Sequence, residues 1–436
     1  MRPTRILCTL LAALALMTSA MTTASATPAP ATVPALGDDF LWGVSMSGFQ
    51  SEGHAPDSNW RRYAESGRAR DRYGDSVDFY TRYAEDIDLA AGLGVRVFRL
   101  SIEWARVQPR PGVWDDADFG FYDAVVRKIR AAGMRPMLTL DHWVIPGWAA
   151  DQGGWRSPEM VTRWLANMRR VVDRYAPLDP LWVTINEPMG YVAQSIKIGD
   201  IGLPDAVPMF DRLVRAHREI YDYIHQRQPG AMVTSNVAQY PVVQNLTDLL
   251  FIDRVRDKLD YLGIDFYYGS SLQQPPTTAL LGDELWKNTI EPEGIYYNLR
   301  AYAEKFPGLP LYVVENGLPT ENGAPRADGY TRADHLRDTV YWIQRADLDG
   351  IEVLGYNYWS LTDNYEWGSY APRFGLYTVD VTTDPGLTRR PTDAVPAYRA
   401  VTAANGVPAD YRPTRAPAFC SILTPPDSCL RPVAVP

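Results

Sequence analysis

Leu181-Trp182-Val183-Thr184-Ile185-Asn186-Glu187-Pro188 decides the fold of this chain. The β-branched and apolar run reads as a buried parallel strand. It stops at a polar Asn-Glu pair, and Pro188 has no N–H with which to carry a ladder onward. In a barrel or a doubly wound sheet, ligands and chemistry gather at the carboxyl ends of strands. A carboxylate placed there beside an amide is a site candidate, although a lone Asn-Glu-Pro serves equally well to start a loop. A second copy shifts the balance. Leu311-Tyr312-Val313-Val314-Glu315-Asn316-Gly317 is another apolar strand ending on a glutamate. Two strand-end glutamates on different strands are what a two-carboxylate glycosidase site needs.

Outward from these strands the pattern alternates. Strand candidates stand at 39–45, 96–101, 134–140, 181–186, 232–236, 261–267, 311–315 and 354–359. Amphipathic helical stretches fall between them at 76–91, 119–132, 158–175, 208–228, 247–259, 295–306 and 332–346, with a last helix at 393–403. Eight strands, each followed by a helix, predict an α/β protein of one domain, a (β/α)8 TIM barrel. A doubly wound sheet is the alternative, but it needs a glycine-rich phosphate loop after an early strand, and the sequence has none.

At 436 residues, 46% hydrophobic and 22% charged, the chain can bury a sizeable core and is not of disordered type. Thirteen Trp and twenty-six Tyr lean toward carbohydrate, since aromatic faces stack on sugar rings, though large cores use them too. The net charge of −9 argues against a nucleic-acid surface. Residues 1–26 read as a secretion signal: Arg2 and Arg5, an apolar segment at 6–17 too short to span a bilayer, then Ala24-Ser25-Ala26 as a cleavage site. The expected organisation is a signal at 1–26, a linker at 27–38, the barrel at 39–405 and a Pro-rich tail at 406–436. Cys8 would leave with the signal. Cys420 and Cys429 then remain in an oxidising compartment, where a disulfide is expected and two free thiols are the alternative. The five His are not clustered and no Cys/His set has ligand spacing, so neither metal nor cofactor is expected. The reading is of a secreted, extracellular protein with no nucleic-acid partner and no membrane partner once the signal is removed.

The ends of the eight strands carry Gln50 and Glu52; Arg99, Glu103 and Trp104; Asp141, His142 and Trp143; Asn186 and Glu187; Asn236; Asp265 and Tyr267; Glu315; and Trp359 with Asp363, Glu366 and Trp367. Any one of these has an ordinary structural use. Together they would line one pocket with amides, carboxylates and indoles, which is the chemistry of a sugar site.

At these residues the chain resembles the glycoside hydrolase family 1 β-glycosidases. The resemblance is carried by Phe40-Leu41-Trp42-Gly43 through Gln50-Ser51-Glu52-Gly53, by Phe98 to Val107, by Thr184-Ile185-Asn186-Glu187-Pro188 and by Val314-Glu315-Asn316-Gly317. It continues through Trp359 to Trp367 and Arg373-Phe374-Gly375-Leu376, spanning about 39–400 in the family's order. It implies Glu187 as the acid/base and Glu315 as the nucleophile, with Asn186 on the sugar 2-hydroxyl. Gln50, His142, Glu366 and Trp367 would hold the other hydroxyls, and Trp359 would floor the ring. Arg99 and Tyr267 would keep Glu315 ionised and aimed. The implied partner is a small β-glycoside or oligosaccharide, cleaved from its non-reducing end with β-glucosidase-like preference.

Where the family usually has Asn, this chain has Asp265. An added acid near Glu315 would repel it or share a proton, so the acidic limb of the pH profile is expected to rise. The segment between Glu366 and Arg373 is about one residue short, and the chain between the two glutamates is compact, which should open the aglycone side. An endo-glucanase of a related barrel family would share Asn-Glu-Pro, but Gln50, Glu366 and Trp367 would close the pocket around one terminal sugar. A non-catalytic sugar-binding relative would have lost one of the two glutamates. A phosphosugar substrate is disfavoured because Glu366 would repel a 6-phosphate.

Overall fold

The structure, a computed structural model, describes residues 32–239, 244–269 and 284–417. The expected signal, Cys420 and Cys429 lie outside the described residues. Eight parallel strands form a ring: β1 (Leu41–Ser45), β2 (Val97–Ser101), β3 (Arg135–Asp141), β4 (Leu181–Ile185), β5 (Met232–Thr234), β6 (Leu262–Asp265), β7 (Leu311–Asn316) and β8 (Val353–Trp359). Pairing runs β5-β4-β3-β2-β1-β8-β7-β6, and the piece Val237–Ala238, which continues β5, pairs with β6 and closes the circle. This is the (β/α)8 barrel that the alternation predicts. Its helices are α1 (Phe79–Ala91), α2 (Asp116–Ala131), α3 (Met160–Tyr175), α4 (Ala206–Arg227), α5 (Gln244–Leu250), α6 (Gly294–Lys305), α7 (Arg332–Leu348) and α8 (Ala394–Ala404). Among the described residues no helix is long and apolar enough to cross a membrane.

Alternation along the strands divides the apolar side chains into two compartments. Val97, Met137, Leu181, Val183, Tyr261, Tyr312 and Val314 fill the inside of the ring. Their strand neighbours Phe98, Leu138, Trp182 and Val313 point outward into the larger core under the helices. On β4 the outward pair is also anchored polar to polar: Trp182 donates to Gln228 at 2.8 Å, and Thr184 meets His217 on α4 at 2.7 Å.

Three local departures from the sequence reading have physical reasons. The helix expected from residue 76 starts at Phe79, because Ser76 and Asp78 take left-handed backbone with φ of 48° and 57°. The stretch 247–259 is not one helix. It breaks at the buried Phe251, which packs its ring against His217 at 5.9 Å, and resumes as Ile252–Val255 and a 3₁₀ turn. The fifth strand parts at Ser235 and Asn236. Ser235 donates to the Ile185 carbonyl at 2.6 Å, while Asn236 turns into the barrel mouth.

β7 holds the departure that matters most. Ile264 pairs with Val313, but the next pair is Asp265 with Glu315, so β7 carries one extra residue there. With Tyr312 and Val314 facing inward, strict alternation would send Glu315 out toward the helices. The bulge reverses the phase and brings Glu315 inward.

Residues on both sides of the ring pack onto it. Val33 is buried, and its N–H donates to the Ala409 carbonyl at 3.0 Å. Farther along, Asp338 on α7 accepts from the Tyr330 and Tyr411 phenols, each at 2.7 Å, and from the backbone N–H groups of Thr414 at 2.7 Å and Arg415 at 2.9 Å. Arg415 then donates to the Ile290 carbonyl at 2.6 Å and to Asp328 at 2.9 Å. Arg326, paired with Asp328, donates to the Trp286 carbonyl at 2.6 Å. Residues 411–415 are thus a strap that pins the segment following residue 284. Asp338→Ala would leave two phenols and two N–H groups without their acceptor. A loss of about 3 kcal/mol is expected, read by calorimetry as a melting temperature lower by roughly 5 °C. A shift below one degree would show that the strap does not depend on Asp338.

Candidate active site

The carboxyl ends of the strands open on a pocket of about 160 Å³. Gln50, His142, Asn186, Glu187, Asp265, Tyr267, Glu315, Trp359, Glu366 and Trp367 all line it. Arg99 lies beneath them, fully buried. Register explains why. Ser45 pairs with Arg99 on one side and Trp359 on the other, Asp265 pairs with Glu315, and Asn186 continues the ladder by donating to the Asp141 carbonyl. Side chains far apart in sequence therefore stand at one level of the ring.

Arg99 spends its donors on three strands. Its Nε donates to Thr139 at 2.9 Å, one terminal nitrogen to Asn186 Oδ1 at 2.5 Å, and the other to Glu315 Oε1. The second oxygen of Glu315 accepts from the Tyr267 phenol at 2.6 Å. Asn186 Oδ1 also accepts from Asn236 Nδ2 at 2.7 Å. Two donors on one oxygen fix the amide, so Asn186 Nδ2 is the end left over; it is buried and has no partner among the described residues.

Glu187 follows directly, with φ of 37°. A left-handed glutamate costs about 1–2 kcal/mol. It turns the chain sharply from β4 into the helix Pro188–Ile198 and holds the carboxyl over the pocket. One oxygen each of Glu187, Asp265 and Glu315 lie within 4.8 Å of one another. Among the described residues this is the group that offers cation-ligand spacing. The Arg99 guanidinium donates to Glu315 and acts to lower the pKa of both Glu187 and Asp265. Burial, and then the charge of Glu315, holds Glu187 well above the ordinary carboxyl range, and the same two causes do so for Asp265.

The opposite wall is aromatic and polar. His142 stacks between Trp359, at 6.0 Å, and Trp367, at 5.8 Å. Burial, with a smaller push from Arg99, keeps its imidazole neutral, and its Nδ1 is buried without a partner among the described residues. Gln50 donates to Glu366 at 3.1 Å and to Asn364 at 3.3 Å, while its own oxygen accepts from Ser47 at 2.7 Å. Burial pushes Glu366 up to about 8, which lets its carboxyl donate as well as accept near neutrality. The short helix Gly48–Ser51 that carries Gln50 sits on the buried carboxylates Glu52 and Glu103. A Cβ at Gly48 would lie 2.6 Å from Glu103 Oε1 and 2.8 Å from Glu52 Oε1, so only glycine fits.

Trp143 also lines the pocket, and Gln194, Ala238, Gln239, Tyr268 and Leu285, which sequence reading did not name, complete the lining. Trp143 was legible as a strand-end aromatic; it donates to the Asn186 carbonyl at 2.8 Å and packs on Trp367 at 4.7 Å. Gln194 stands seven residues after Glu187 on a helix, a spacing that returns it to the same face. Nothing in the local sequence marks Gln239, Tyr268 or Leu285.

A barrel that sets two glutamates on β4 and the bulged β7 against one polar, indole-walled pocket has the frame of a glycoside-cleaving enzyme. The sequence profile described as Glycosyl hydrolase family 1 matches residues 33–239 and 247–407, and the chain belongs to that family. It is 30% identical over 378 residues to Galactolipid galactosyltransferase SFR2, chloroplastic, of Arabidopsis thaliana, a match that takes in 77% of this chain and 59% of the relative. The chain thus spans about three-fifths of the length of that plant protein. It is 26% identical to Beta-glucosidase A of Thermotoga maritima over 428 residues, 81% of this chain and 95% of that one. Among solved structures, the family 1 β-glucosidase of Thermotoga maritima in complex with isofagomine lactam superposes with a TM-score of 0.75 over 86% of this chain and 100% of that one, at 23% identity, and shares the barrel fold.

The structure moves the expected effect of Asp265 from one limb of the pH profile to the other. Burial and its two acidic neighbours favour its neutral form, so it carries no repelling charge at the acid limb. Its Oδ2 accepts from Asn236, its Oδ1 has no donor among the described residues, and Glu187, Glu315, Arg99 and Tyr267 are the titratable groups around it. Two facing acids lose their last proton at higher pH than one acid facing an amide. Asp265→Asn is therefore expected to lower the apparent pKa of the basic limb of kcat/KM and leave the acidic limb in place. A basic limb that does not move would show the two carboxyls to be uncoupled.

Proposed function

We propose that the protein is a secreted, retaining exo-β-glycosidase that removes terminal β-D-glycosyl residues, glucose foremost, through a covalent glycosyl–Glu315 intermediate. The observation that carries the reading is the spacing and unlike setting of the two glutamates. Retaining enzymes hold their carboxyls about 5–5.5 Å apart, too close for an inverting water between them, and the facing oxygens here lie within 4.8 Å. Glu315 is fixed by a guanidinium and a phenol, as an attacking carboxylate must be. Glu187 is held in its protonated range by burial, as the group that protonates the departing oxygen must be. Once Glu315 is esterified its charge is gone. The proton on Glu187 is then held less tightly, so Glu187 serves as base for the incoming water.

The free Nδ2 of Asn186 suits the sugar 2-hydroxyl, and His142, Gln50 and Glu366 suit the remaining hydroxyls over the Trp359 floor. The buried wall at Gln50, His142 and Trp367 favours one terminal sugar over an internal site in a polymer. The relatives named as β-glucosidases support the glycone class. Export rests on the reading of residues 1–26 and is tested by the amino-terminal sequence of the protein recovered outside the cell.

The anomer released first from a β-glycoside, followed by proton NMR before mutarotation, is expected to be β, and an α product would overturn the mechanism. Glu187→Ala is expected to slow substrates with poor leaving groups by roughly 10²–10⁴-fold. Activated aryl glycosides should suffer less, and azide should restore turnover as the β-glycosyl azide. Glu315→Ala should abolish turnover of all β-glycosides, with azide giving the α-azide.

A further inference from the structure

We propose that Gln194 and Gln239 form an acceptor subsite that recognises a hydroxyl-bearing leaving group, a sugar or another polyol, in preference to a flat aryl one. The inference deepens the glycosidase reading and rests on it. The glycone residues occupy the β1, β3 and β8 side of the pocket, so the group leaving from C1 must lie on the side of the acid Glu187. That side is built by the helix Pro188–Ile198 and by the break in the fifth strand.

Gln194 lies two helical turns beyond Glu187 on the same face, about 10 Å farther along the axis. Gln239 lies one residue past Val237–Ala238, where the small Ala238 also lines the pocket. Its orientation is set from behind: its backbone N–H donates to the Asp265 carbonyl at 3.0 Å, and its Oε1 accepts from Asn298 Nδ2. That leaves Gln239 Nε2 on one side and Gln194 Oε1 on the other. Both atoms are buried, both line the same cavity, and neither has a partner among the described residues. Buried polar atoms without partners are rare because each forfeits its hydrogen bond to water. One donor and one acceptor facing a shared space are satisfied together by hydroxyl groups, which donate and accept. A nitrophenyl group has no donor, and its nitro oxygens are weak acceptors confined to one end of the ring. Tyr268 also lines the pocket and supplies an aromatic face, suited to the apolar face of a sugar ring.

The subsite serves both directions of the second step. The glycosyl–Glu315 ester bond breaks, a new C1–O bond forms to the acceptor oxygen, and the acceptor's hydroxyl proton passes to Glu187. With water as acceptor the outcome is hydrolysis. With a bound sugar hydroxyl it is glycosyl transfer, the kind of reaction named for the Arabidopsis thaliana relative.

The test uses Gln194→Leu and Gln239→Glu, each checked for an unchanged melting temperature. Gln239→Glu keeps the oxygen that holds Asn298 and replaces only the free donor. For each, kcat/KM is measured on a β-linked glucose disaccharide and on 4-nitrophenyl β-glucoside, which share the glycone. The disaccharide-to-aryl ratio is expected to fall tenfold or more in either variant; a ratio within twofold of wild type in both would overturn the subsite. Calorimetric binding to the Glu315→Gln protein separates this from failure of the glycosidase reading. There the disaccharide is expected to bind at least tenfold tighter than methyl β-glucoside, and to lose that margin when either glutamine is changed. Wild-type protein inert on both substrates would overturn the enzymatic reading alone. Equal binding of the two sugars to Glu315→Gln would overturn the subsite, whatever the turnover.

Discussion

The buried guanidinium of Arg99 is the constraint around which the catalytic end of the barrel is arranged. A cation with no access to water must have its donors matched, because an unpaired buried charge costs more than any single contact returns. Thr139, Asn186 and Glu315 provide the match from three other strands. Each is itself committed by that bond: Glu315 to one orientation, Asn186 to the amide rotamer that leaves its nitrogen free. The bulge in β7 belongs to the same solution, since without it the carboxylate would face the helices and Arg99 would lose its hydrogen-bonded carboxylate. Tyr267 and Asn236 then attach to groups whose positions are already fixed.

Much of this was legible in the chain itself. The strand-end glutamates, the alternation of eight strands with helices, and the convergence of Gln50, His142, Asn186, Trp359 and Trp367 on one pocket follow from periodicity and from the place of polar residues at strand ends. What was not legible depended on phase and on distant partners. Alternation alone places Glu315 on the wrong face, and the extra residue is revealed by pairing with β6 and β8. Residues 232–236 read as one strand because nothing local shows that Asn236 is needed by Asn186 and Asp265. Gln239 has no motif around it, and its free nitrogen is defined by Asn298 on a helix far away in sequence. Asp265 was visible as an unusual acid. That its carboxyl is pushed up follows only from its depth and from the neighbouring acids Glu315 and Glu187.

The site also shows how a barrel can keep several acids together. Glu187, Asp265 and Glu366 are all driven toward their neutral forms by burial, and only Glu315 has both oxygens engaged by a cation and a phenol. The environment thus sets chemically similar carboxyls apart: one is engaged by a guanidinium and a phenol, and the others are pushed toward their proton-bearing forms. The division is made by depth and neighbours rather than by residue type.

The strap at residues 411–415 gives the chain a calendar as well as a shape. Those residues follow every barrel strand in the sequence, and they hold the segment beyond residue 284 through Ile290 and, by way of Asp328 and Arg326, through Trp286. During synthesis β1 waits for β8 before the ring can close, so most of the chain emerges with its first strand lacking one neighbour. Even a closed ring would then present a loosely held wall at Leu285 until Tyr411, Thr414 and Arg415 had followed. The bonds that hold this wall therefore form only after residues 411–415 have been made.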